Sequence, residues 1–109
     1  MEWRLRNDGG RIVGAPIGRV DEESWKDFST HLNAAVADAV AARVPLVVDL
    51  TDLEYMTSKG LRALTMAKKE AGGAISISLA APNETMRRIL SISRYDMLFP
   101  VVDDIDAAG

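Results

Sequence analysis

Pro45-Leu46-Val47-Val48-Asp49-Leu50 is a nearly continuous apolar run, and it limits the folds open to this chain more than any other stretch. Such a run is expected of a strand covered on both faces, at the centre of a parallel sheet. Each parallel neighbour has to be reached by a right-handed β-α-β crossover, so helical patterns must lie on both sides of the run.

They do. Before it, Trp25, Phe28, Leu32, Ala35, Val36, Ala39 and Val40 fall on one face of a helix that runs to about Ala42, with Asp21 as its cap and Glu22 and Glu23 complementing the positive end of its dipole. After it, Leu61, Leu64, Ala67 and Ala71 share a helical face that stops at Gly72-Gly73. Ala74–Ala80 reads as the next strand, with Ile75, Ile77 and Leu79 on one face. Pro82-Asn83-Glu84 opens a third helix, with Asn83 as cap, Met86, Ile89 and Leu90 inward, and Arg87, Arg88 and Arg94 outward. Met97–Val102 is read as a last strand, and Asp103–Ala107 as a brief helical turn or a tail.

At the other end, Trp3 and Leu5 alternate with charges, Arg11–Ile17 has period-two character, and Asn7-Asp8-Gly9-Gly10 between them is a hairpin signal. The predicted order is β-β-α-β-α-β-α-β. It describes one α/β domain over residues 1–109, with a mixed, mostly parallel sheet, an antiparallel N-terminal strand and helices packed on it.

Composition narrows the function. A chain of 109 residues buries a single core. A net charge of −3 lacks the broad positive field that nucleic-acid binding draws on. The absence of cysteine removes disulfides, thiolate zinc sites and a cysteine nucleophile. The N-terminus is charged where a signal peptide needs an apolar core, and no window approaches the ~20 apolar residues of a membrane span, so a cytosolic protein without direct membrane insertion is expected. His31 stands alone at the edge of the first helix's apolar stripe, Asp103, Asp104 and Asp106 read as a solvated terminus, and neither glycine pair belongs to a phosphate-binding loop. No metal or cofactor is expected. The oligomeric state is left open, a weak dimer being compatible.

The functional signal lies where the central apolar run gives way to the second helix, in Asp49-Leu50-Thr51-Asp52-Leu53-Glu54-Tyr55-Met56-Thr57-Ser58-Lys59-Gly60-Leu61. Two adjacent hydroxyls, Thr57 and Ser58, are set at a helix N-terminus, whose unpaired backbone N–H groups favour a side-chain oxygen or a phosphate. Met56-Thr57-Ser58-Lys59-Gly60 is half of a G-x-S-x-G nucleophile elbow. It lacks the first glycine, and its Ser58 lies eight residues beyond Leu50 rather than in a sharp turn immediately after a strand, so no enzyme is expected.

This stretch resembles the signature loop of STAS domains, the family of bacterial anti-sigma-factor antagonists, in which a Ser after an Asp is phosphorylated by a partner kinase; Ser58 falls on that position. Gly18-Arg19-Val20-Asp21 resembles the family's Gly-Glu-Leu-Asp, and Ser93–Val101 resembles its C-terminal Ser-Gly-Leu-x-x-Leu-Phe pattern. Two departures stand out: Thr57 replaces the usual Asp, and Lys59 replaces a small residue.

The resemblance implies a regulatory binding module that captures a serine-kinase anti-sigma factor and is switched at Ser58, with Thr57 as second acceptor. Asp21, Thr57, Ser58, Lys59 and Gly60 would form the contact, extended by the outward Arg62, Met66 and Lys69. Lys59 is expected to favour a bound phosphate. Two alternatives stay open: a STAS scaffold, never phosphorylated, in a stress-signalling or lipid-transport complex, and a nucleotide or small-molecule sensor using the same helix terminus.

Overall fold

The computed structural model describes residues 1–108. Asp8-Gly9-Gly10-Arg11 turns the chain back on itself, with the Asp8 amide donating to the Arg11 carbonyl at 2.9 Å and Gly9 at φ +71°, a conformation other residues adopt at a cost. It joins β1 (Glu2–Asn7) to β2 (Ile12–Val20), paired antiparallel from Glu2↔Ile17 to Asn7↔Ile12.

β2 then forks. Ile12–Gly14 runs parallel to β3 (Leu46–Asp49), and Gly18–Val20 runs parallel to β4 (Leu53–Met56). Pro16 lies between the two pairings, where a strand residue without an N–H costs no ladder bond. β3 pairs with β5 (Ile77–Ala80) and β5 with β6 (Val101–Val102), both parallel. The sheet order is β1-β2-β3-β5-β6, with β4 beside the far end of β2.

Several boundaries differ from the sequence reading. β4 lies between the central apolar run and the second helix, where the sequence reading has no strand; its four residues pair with β2 alone, too short a segment to carry a pattern. β5 begins at Ile77 rather than Ala74. The last strand shrinks to Val101–Val102 because Tyr95–Met97 winds into a 3₁₀ turn after Arg94 takes a left-handed conformation.

The helices α1 (Trp25–Ala42), α2 (Ser58–Ala71) and α3 (Glu84–Ile92) enclose the main core. Phe28, Leu32 and Val36 of α1, Leu61 and Leu64 of α2, and Met86 and Leu90 of α3 meet Leu46, Val48 and Leu79 of the sheet. The predicted inward faces hold, with Trp25, Val40 and Ile89 at their margins, half-buried.

A second, smaller cluster, Val13, Val47 and Ala80, is covered by Val102, Ile105 and Ala108. That cover includes the short 3₁₀ turn Ile105–Ala107. Arg11 holds it down: Nη1 donates to the carbonyls of Ile105 at 2.6 Å and Ala108 at 2.8 Å, while Nε and Nη2 donate to Asp8.

Ser78 on β5 is buried, and its hydroxyl has no hydrogen-bond partner. A buried, unpaired hydroxyl costs free energy that a methyl group does not. Ser78→Ala is therefore expected to raise stability by up to about 1 kcal/mol in urea denaturation; a clear loss would mean that the hydroxyl is bonded in solution.

Candidate functional site

β2 and β4 end side by side, Val20 opposite Met56, so the segments beginning at Asp21 and Thr57 leave the sheet from adjacent strands. The Thr57 amide donates to the Val20 carbonyl at 2.9 Å and fixes the spacing. From the other side Asn83, the cap of α3, accepts from the Met86 amide and donates its side-chain N–H groups to the carbonyls of Leu53 at 3.0 Å and Glu54 at 3.2 Å. One amide side chain thus starts α3 and secures β4.

Asp21 closes a turn instead of capping α1 directly. Its Oδ1 accepts from the amides of Glu23 at 3.0 Å and Ser24 at 3.1 Å and from the Ser24 hydroxyl at 3.0 Å, and the Asp21 amide donates back to Ser24 Oγ at 2.9 Å. The helix consequently begins at Trp25, with Ser24 in the cap position. The turn is stabilised by the ionised carboxylate: against the cost of burial, the Ser24 hydroxyl bond first, then the amides of Glu23 and Ser24 and the charge of Arg19, hold the Asp21 carboxyl below its ordinary range.

A carboxyl depressed in the folded state adds stability that is present above its unfolded pKa and lost as pH falls through the folded one. Wild type should therefore melt above Asp21→Asn at neutral pH, with the gap closing below roughly pH 4. A gap that persists into acid would assign the effect to something other than ionisation.

Thr57 and Ser58 have different environments. Thr57 sits at the cap position of α2 with extended backbone, yet its side chain makes no cap bond and its hydroxyl oxygen is buried without a partner. Of the two candidate acceptors, Thr57 therefore has its hydroxyl covered. Ser58, the first residue of α2, is exposed.

Gly60 is buried, so it is not part of the outer surface expected of a contact residue. A Cβ there would collide with Met56 Cγ and come within 2.7 Å of Val20 Cγ1; the glycine lets the first turn of α2 settle onto the ends of β2 and β4.

Lys59 is already engaged. Its Nζ lies 2.7 Å from Glu22 Oε2 and 5.5 Å from the Trp25 ring centroid. Glu22 and Trp25 were read from the sequence only as a dipole complement and a core residue. Nothing in the linear sequence relates position 22 to 59, because the contact arises from the β2–β4 pairing. Arg62, Met66 and Lys69 are exposed as expected, and His31 stacks on Trp3 with ring centroids 5.6 Å apart.

The three helix starts differ in charge. α1 has Asp27 in its first turn, and α3 has Glu84 and the Asn83 cap bond. α2 has neither an acidic residue in its first turn nor a side-chain cap bond. Its leading amides and the positive end of its dipole are left without negative compensation from its own first turn.

Residues 17–102 match the family model described as Mlab, STAS domain. The chain belongs to the STAS-domain family. A STAS-domain containing protein of Pseudomonas aeruginosa (strain UCBPP-PA14) is 36% identical over 95 residues, covering 86% of this chain and 90% of that one.

Among solved structures, an anti-sigma factor antagonist from Mycobacterium paratuberculosis superposes on this STAS domain with a TM-score of 0.86 at 24% identity, over 97% of this chain and 88% of the other. The phosphorylated form of the Bacillus cell fate determinant SpoIIAA superposes with a TM-score of 0.65 at 17% identity, over 97% and 96%. At these identities the superpositions establish the shared fold: six strands in a mixed sheet with three helices. Among the described residues of this STAS domain, no helix is long and apolar enough to cross a membrane, and no group of three His, Cys, Asp or Glu side chains is gathered to hold a metal ion.

Proposed function

We propose that this STAS domain is an anti-sigma-factor antagonist: it captures a serine-kinase anti-sigma factor through the surface around Ser58 and releases it when Ser58 is phosphorylated. The observation that carries the reading is the pairing of an exposed Ser58 with the one helix start, among the described residues, that lacks negative compensation of its own. The structural neighbours, anti-sigma factor antagonists by description, support it as relatives in fold.

A phosphate at Ser58 adds about −1.5 to −2 charges at the tip of α2, where the free amides and the dipole favour it within the domain. Glu22 already lies on Lys59 in the same turn, so the new dianion competes with Glu22 for that ammonium and alters the charge of the contact surface. The partner, docked on the unmodified surface, meets both added bulk and altered charge. Arg62, Met66 and Lys69 extend the contact along α2, and Asp21 holds the turn that carries Glu22.

Incubation with the kinase and radiolabelled ATP tests the acceptor. Label is expected in wild type and Thr57→Ala and to be absent from Ser58→Ala. Label that persists in Ser58→Ala and vanishes in Thr57→Ala would reassign the acceptor to Thr57, against the burial of its hydroxyl.

A further inference from the structure

β1 is an open sheet edge. The other candidate edges are closed or short: β6 has two residues, and β4 is occupied by the Asn83 amide. β1 has six residues in unbroken register with β2, without a bulge or a proline to blunt the edge; its charged residues, Glu2, Arg4 and Arg6, are of both signs, so they oppose association only where like charges meet.

Hydrogen-bond parity shows which residues carry that edge. The Ile12 amide donates to Pro45, away from β1, whereas Asp8 and Arg11 bond across the hairpin. Ile12, Gly14 and Pro16 therefore turn their backbone groups from β1, and their register partners Asn7, Leu5 and Trp3 present theirs to the free side.

We infer that β1 is the docking edge for a second copy of this chain, joined antiparallel about a twofold axis at Arg4. In that register Trp3 faces Leu5 of the second copy in the hydrogen-bonded pairs, and Glu2 faces Arg6 of the second copy in the closer, non-hydrogen-bonded ones. Each complementary pair occurs twice by symmetry. Glu2 has no ion partner within its own chain among the described residues, and Arg6 has only Asp8 at 3.8 Å. Leu5 is 48% exposed on the same side of the strand as Trp3; opposite a second Trp3 it gains an apolar neighbour. The one unfavourable pair is Arg4 with itself at the axis, which limits the strength of the association.

The chain contains no cysteine, so introduced thiols report directly on this register. Non-hydrogen-bonded antiparallel pairs hold their Cβ atoms about 4.5–5.5 Å apart, near the reach of a disulfide. Under mild oxidation Arg4→Cys is expected to form a linked dimer at protein concentrations where Ser91→Cys, on the exposed side of α3, remains monomeric. The double variant Glu2→Cys with Arg6→Cys should link as well, whereas Glu2→Cys alone should not. In sedimentation without added cysteine, Arg4→Thr should self-associate about threefold more tightly than wild type, since it removes the like-charged pair. Linkage of Arg4→Cys no greater than that of Ser91→Cys, or association of Arg4→Thr equal to or weaker than wild type, would overturn the dimer.

Discussion

Ser58→Asp is expected to weaken capture of the serine-kinase anti-sigma factor by about a hundredfold, a change of about 2.7 kcal/mol, while Ser58→Ala binds like the unmodified domain. The loss has to come from the interface, since the substitution suits the domain itself. Ser58 is the exposed first residue of α2, and a carboxylate in the first helical turn stabilises by about 0.3–1 kcal/mol. The melting temperature of Ser58→Asp should therefore equal or exceed that of wild type. Weak binding with an unchanged or raised melting temperature distinguishes a switched surface from a damaged fold; wild-type affinity in Ser58→Asp would remove charge at this position from the mechanism.

Gly60→Ala is expected to destabilise the domain by about 1–2 kcal/mol, although alanine ordinarily gains about 1 kcal/mol over glycine inside a helix. The added carbon collides with Met56 Cγ and meets Val20 Cγ1 at 2.7 Å. The Met56 side chain has freedom to move, but Val20 is fully buried at the end of β2, so relief requires the first turn of α2 to lift. That turn carries Ser58 and Lys59, and partner binding should fall together with stability. Denaturant midpoints and binding measured on the same preparation check this; a stabilised Gly60→Ala would show that the helix start has slack the structure does not suggest.

Much of this architecture could be read from local pattern. The apolar stripe from Phe28 to Ala39, the Leu61–Ala71 face and the hairpin at Asp8–Arg11 are periodic or turn-specific features in which neighbours in sequence set the outcome. The exposed position of Ser58 followed from the start of a helix. What escaped the sequence depends on tertiary pairing. Leu53–Met56 becomes a strand only because Gly18–Val20 is free to accept it once β2 has parted from β3. The same pairing brings Glu22 and Trp25 to Lys59 and covers the Thr57 hydroxyl. Asn83 was legible as a cap, but its hold on the carbonyls of β4 was not, since that needs a strand absent from the pattern.

The most direct measurement is calorimetric titration of the serine-kinase anti-sigma factor with two forms of the wild-type domain, one unmodified and one quantitatively phosphorylated at Ser58. An affinity about a hundredfold lower for the phosphorylated form, with both forms equally folded, is predicted. Equal affinities for the two forms would contradict a switch at the tip of α2.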